Sequence, residues 1–189
     1  MRIAILNLTA GGMSGGYRKY LKSLLPRLSL ASGVESILCA SPKSLCVDEW
    51  FERLENVQFA NCLPYRPSRP HDFELSRGLR RFSPDVIFVP MERNLAVSDV
   101  PLVNMVQNML PMIPIENNIG IERLRNLVQK FLARRAVTRA SRVIAVSKFV
   151  KEFLRSNWSV PAEHIGMVYH GVESNSDVMI RPKSIPAEW

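Results

Sequence analysis

A doubly wound, mainly parallel α/β sheet of seven strands, with helices on both faces, is the fold class this sequence predicts. Three observations carry it. Short apolar runs such as Ile3-Ala4-Ile5-Leu6 recur along the chain, and they alternate with segments whose apolar residues repeat at helical spacing. The runs are apolar at consecutive positions, as strands buried on both faces should be. Alternation of strand and helix is the signature of parallel strands joined by helical crossovers.

Each element follows in order. Strands are expected to begin near Arg2, Val34, Val57, Asp85, Val100, Arg142 and Ile165. After the first strand come the glycines Gly11, Gly12, Gly15 and Gly16. A helix then places Tyr17, Tyr20, Leu21, Leu24, Leu25 and Leu28 on one side and Arg18, Lys19, Lys22 and Arg27 mostly on the other. Val47, Trp50, Phe51 and Leu54 predict a helical stretch between the second and third strands, and Asp72 to Phe82 a further short helix. The longest helix is expected over about Ile121 to Ala140. Ile121, Leu124, Val128, Phe131, Leu132 and Ala136 form its expected buried side. A last helix spans Lys148 to Asn157. Pro111, Pro114, Asn117 and Asn118 mark a loop, and the segment from Asn175 onward, with Pro182 and Pro186, reads as a linker.

A chain of 189 residues, 47% of them hydrophobic, is long enough for one domain with a substantial core and too rich in apolar residues for a disordered one. No run approaches the roughly 20 apolar residues of a spanning helix, and the apolar start is too short for a signal peptide. Cys39, Cys46 and Cys62 lack ligand spacing and read as reduced thiols of a cytoplasmic protein. His71 and His164 read as surface residues, and no metal site is expected. Asn7-Leu8-Thr9 and Asn157-Trp158-Ser159 match the glycosylation sequon by chance. The net charge of +8 favours an anionic partner. Base-stacking aromatics are not interleaved with the arginines, so nucleic acid is not the expected one.

In doubly wound sheets ligands bind beyond the carboxyl ends of the strands. The loops after Asn7, Val89, Val106, Val146 and Tyr169 therefore hold the candidates. The glycines between first strand and first helix permit close approach of backbone N–H groups to a phosphate. They match neither a P-loop nor G-x-G-x-x-G, and the second strand ends in Cys39-Ala40-Ser41 with no acid for an adenosine ribose, which disfavours a nicotinamide dehydrogenase. Gln107 and Asn108 sit at the end of the fifth strand. Their amides suit sugar hydroxyls, or else tie down loop backbone. Ser147 is placed to cap the last helix. His170-Gly171-Val172-Glu173 follows the seventh strand, with Gly171 permitting a turn.

Four of these segments together resemble the group 1 (family 4) glycosyltransferases. They are the Gly15-Gly16 pair before a basic helix, the run Gln107-Asn108-Met109-Leu110-Pro111, the run Ala140 to Ser147 after a long helix, and Val168-Tyr169-His170-Gly171-Val172-Glu173. The last two are the specific ones. The resemblance implies the N-terminal, acceptor-side half of a GT-B fold, a Rossmann-like domain over 1–174 with a linker over 175–189 leading toward a donor-binding domain. That second domain would carry a Glu-x7-Glu motif, and no two glutamates of this chain stand eight apart. Also implied are retaining transfer from a nucleotide-sugar co-substrate, with no further cofactor, to a saccharide or lipid-linked acceptor in polysaccharide biosynthesis. Gly15 and Gly16 would approach the donor diphosphate. Gln107, Asn108 and Ser147 would meet sugar or acceptor, and His170 and Gly171 would form a cleft turn. No catalytic residue is assigned. Many family members carry histidine where Gln107 stands, so hydrogen bonding is expected there and proton transfer is not. The chain alone is expected to be inactive. The protein is expected to be cytoplasmic, peripheral on an anionic inner membrane face through Arg18, Lys19, Lys22, Arg66 and Arg69. The competing reading is a non-catalytic membrane-surface or protein-interaction domain of the same fold.

Overall fold

The computed structural model describes residues 1–8, 15–64, 72–95, 100–107, 109 and 120–169. Seven strands run β1 (Arg2–Leu6), β2 (Ser36–Pro42), β3 (Val57–Cys62), β4 (Val86–Val89), β5 (Leu102–Val106), β6 (Arg142–Ala145) and β7 (Ile165–Met167). Four α-helices lie between them, α1 (Gly15–Ser29), α2 (Phe73–Phe82), α3 (Ile121–Arg139) and α4 (Lys148–Trp158). The strands form one sheet in the order β3-β2-β1-β4-β5-β6-β7, and every neighbouring pair is parallel. The predicted fold class and strand count are those observed. Strand starts fall within two residues of expectation. β4 begins one residue late, after Asp85, whose carboxylate accepts from the Arg2 backbone N–H at 2.6 Å.

Alternation along β1 explains why both faces of the sheet are covered. Ile3 and Ile5 join Leu21 and Leu25 of α1 in one cluster, while Ala4 and Leu6 join Leu75 and Leu79 of α2 in another. A third cluster packs Ala133, Val137 and Ala140 with Val150, Leu154 and Trp158 over β5, β6 and β7. Asn7 is fully buried, so its sequon is inaccessible in the fold.

Two expectations need correction. The helix expected from Val47 to Leu54 is not formed. Instead 3₁₀ turns span Lys43–Leu45 and Val47–Trp50, separated by Cys46 in the left-handed region at φ 44°. Phe51 then turns extended, at φ −125° and ψ 146°, which ends the helical stretch after Trp50, although Val47, Trp50, Phe51 and Leu54 still pack on the α1 cluster as the spacing required.

The second correction concerns α3. Its buried residues are Ala133, Ala136 and Val137, whereas Leu124 (64%), Leu127 (56%), Val128 (48%) and Phe131 (63%) are exposed. The reason is close approach. Asn104 of β5 is buried and donates from Nδ2 to the Ala136 carbonyl at 3.2 Å, which brings the helix backbone to the sheet. Small side chains fit that gap and the bulky ones turn outward.

Candidate functional site

The winding direction reverses at β1. From β1 the chain steps outward to β2 and β3, then crosses back so that β4 lies on the other side of β1. A crevice therefore opens beyond the carboxyl ends of β1 and β4. It is bordered by Asn7, the start of α1, and the segment Pro90 to Glu92. Gln107 and Ser147 follow β5 and β6, the next strands along the same edge.

Gly15 and Gly16 do not precede the first helix, as the sequence suggested, but are the first two residues of α1. The first four N–H groups of a helix have no partner within it, and the helix dipole puts partial positive charge there. No acidic residue stands in the first turn of α1 to offset it. Gly16 has ordinary backbone angles, and a Cβ built on it would meet no described atom within 4 Å. Among the described residues, neither packing nor backbone strain requires glycine at that position.

The first turn of α1 is held from below. The Tyr17 ring meets Trp50 edge-on, with centroids 6.2 Å apart, and the Arg18 guanidinium lies 5.3 Å from the centroid of the same indole. The Tyr17 hydroxyl is buried without a hydrogen-bond partner. Burial raises its pKa, and the nearby Cys39 and Cys62 thiols add to the shift. Cys62 donates from Sγ to the Asn7 carbonyl at 3.4 Å, which fixes the backbone where β1 ends.

On the far side of the crevice Gln107 has two ties. Its Nε2 donates to the Pro90 carbonyl at 3.0 Å, and its backbone N–H donates to Glu92 Oε1 at 3.1 Å. The amide thus fastens the end of β5 to the loop after β4, and its residue remains exposed. Glu92 was not singled out from the sequence. The signal was its place in a polar run, Glu92-Arg93-Asn94, in the loop after Val89 that the sequence marks as a candidate. Ser147 caps α4, its hydroxyl oxygen accepting from the Val150 N–H at 3.2 Å. A hydroxyl that accepts there still has a proton to donate.

Asn108, His170 and Gly171 lie outside the described residues, as do the glycines before Gly15, the loop around Pro111, and the segment from 175 onward. Among the described residues no cluster of three or more His, Cys, Asp or Glu is arranged to hold a metal ion. No described helix is long and apolar enough to cross a membrane.

The model of glycosyltransferase family 4 matches residues 14–176. No curated protein sequence matches the chain. Among solved structures the chain is similar to Anabaena Alr3699/HepE in complex with UDP, at 18% identity and a TM-score of 0.52. The same protein in complex with UDP-glucose gives 16% and 0.53. A glycosyltransferase from Rickettsia africae ESF-5 gives 14% and 0.50. The alignments cover 90–91% of this chain but only 43–44% of those proteins, so the chain spans less than half the length of each. At such identities the likeness is one of fold.

Proposed function

The chain belongs to glycosyltransferase family 4, and from that premise we propose that it is the acceptor-side domain of a retaining, two-domain transferase. The donor is a nucleotide sugar and the acceptor a saccharide or a lipid-linked saccharide, used in polysaccharide assembly on the cytoplasmic side of an anionic membrane. One observation carries the reading. The first turn of α1, at the carboxyl end of β1, carries no acidic residue, and a Cβ on Gly16 would meet no described atom there. That is the surface a diphosphate needs for close approach. The HepE structures hold UDP and UDP-glucose, which supports a donor of this class.

The chemistry assigned to this half is positioning. Gly15 and Gly16 leave room for the diphosphate, and the α1 dipole offsets part of its charge, without a metal or any cofactor beyond the sugar nucleotide. Gln107 cannot exchange a proton near neutral pH, so its part is to hold the β4 and β5 loops and to offer its remaining acceptor to a sugar hydroxyl. Asn108, Ser147 and the His170-Gly171 turn are assigned to the sugar and cleft side.

Gly16→Val tests the reading in the transferase that joins this domain to its donor-binding half. A Cβ at this position meets no described atom within 4 Å, so thermal melts should move little while kcat/KM for the donor falls at least tenfold. Gln107→Ala should lose less, since one hydrogen bond is worth ~0.5–1.5 kcal/mol. Normal donor kinetics for Gly16→Val would remove the diphosphate assignment. The competing reading, a non-catalytic surface-binding domain, draws on the outward face of α3 and predicts no effect of either substitution on any transfer rate.

A further inference from the structure

We infer that the outward face of α3 is a docking surface for an anionic lipid bilayer, with the helix lying parallel to the membrane plane. The inference rests on the membrane-side placement proposed above, but it moves the contact from α1 to a different element. Leu124, Leu127, Val128 and Phe131 follow the i, i+3, i+4, i+7 spacing of a single helix face. At about 100° per residue that stripe is centred opposite the side carrying Ala133, Ala136 and Val137. The four residues are between 48% and 64% exposed, and they are large. A helix whose bulky apolar residues point away from its own core has a second surface to satisfy.

Charge decides which surface. α3 carries Arg123, Arg125, Lys130, Arg134, Arg135 and Arg139 against a single acid, Glu122. On the helical wheel Arg123, Lys130 and Arg134 flank the apolar stripe on one side. Arg125 and Arg139 flank it on the other, Arg135 lies in line with the stripe one turn beyond Phe131, and Glu122 falls diametrically behind it. This is the arrangement of a helix seated in a lipid headgroup layer, with apolar residues toward the acyl chains and long basic side chains, Arg135 at the end of the stripe included, extending their guanidinium or ammonium groups to phosphates. A second copy of the chain is the poorer occupant, because pairing two such faces would crowd two sets of six cations together. Basic residues near an anionic leaflet act additively, and the apolar stripe adds a part that salt does not screen.

The test is co-sedimentation of the chain with vesicles of pure phosphatidylcholine and of phosphatidylcholine containing 30% phosphatidylglycerol (about one anionic lipid in three, the range in which basic patches respond). Binding should require the anionic lipid and should persist in part at physiological salt. Leu127→Gln combined with Phe131→Gln should weaken it at least tenfold there, with an unchanged melting temperature, since both side chains are already exposed. Arg123→Gln combined with Arg134→Gln should weaken it most at low salt. A Lys19→Gln, Lys22→Gln variant on α1 keeps the two surfaces apart, and it should change binding less than the α3 variants do. Equal sedimentation with both vesicle types would overturn the inference. So would loss of binding through the α1 variant alone, or a concentration-dependent dimer that Phe131→Gln returns to monomer. None of these outcomes touches the donor kinetics, which test the transferase reading separately.

Discussion

Cys39 and Cys62 stand near the crevice and behave as core atoms. Burial pushes the thiol pKa of each up from 9.0 to about 12, with the neighbouring Cys62 adding to the shift at Cys39 and Asp72 adding to it at Cys62. Cys46, in its left-handed turn, is exposed. Alkylation at pH 8 should therefore modify Cys46 quickly and the other two only at the rate of unfolding, as mass spectrometry of a time course would show. Rapid labelling of all three would contradict the packing at the end of β1. The same shifts set a pH dependence. Below about pH 9 folded and unfolded chains both keep these protons, and between 9 and about 12 only the folded chain does. The unfolded state then binds fewer protons, so stability falls as pH rises through that window. A melting temperature flat from pH 9 to 11 would show that the thiols are not buried as described.

Among the elements, α2 depends most on one residue. Asp72 caps it, Oδ1 accepting from the N–H groups of Glu74 and Leu75, while Oδ2 accepts from the Leu63 N–H at 2.6 Å. The cap thus also ties the helix to the end of β3. Asp72→Ala should cost ~1–2 kcal/mol, the upper part of the range for a lost N-cap, whereas Asp72→Asn should recover much of it. Denaturant titration of the three proteins checks this, and a loss below a few tenths of a kcal/mol would mean the cap is solvated. The elements also show what was legible in the sequence. β1, β2, β4 and β6 announced themselves through consecutive apolar residues, and Ser147 through its place between a strand and an apolar-periodic helix. α3 was legible as a helix but not in its orientation. Periodicity locates an apolar stripe, and only the approach of Asn104 to the Ala136 carbonyl decides which stripe faces the sheet. Gln107 was similarly half legible. Its position at the strand end came from the sequence, whereas its bond to Pro90 required the loop after β4 to be in place.

For the whole molecule, the all-parallel sheet presents one carboxyl edge, and everything assigned to the donor lies along it. A site built from one wall of a cleft lacks both orientation and exclusion of water. Calorimetry of this chain with UDP-glucose should accordingly show dissociation in the millimolar range or weaker, and no sugar transfer. Micromolar, stoichiometric binding would mean that the domain holds a complete donor site by itself.

The strand order has a further consequence, for the chain as it is being made. β1 sits third in the sheet, and the partner on its second edge, β4, is synthesised more than eighty residues after it. At the ~5–20 residues per second of translation, a strand apolar on both faces waits several seconds on the ribosome with one edge open. Such an interval invites pairing with other nascent chains, so the yield of folded protein should depend on chaperone supply and on the pace of translation before Val86.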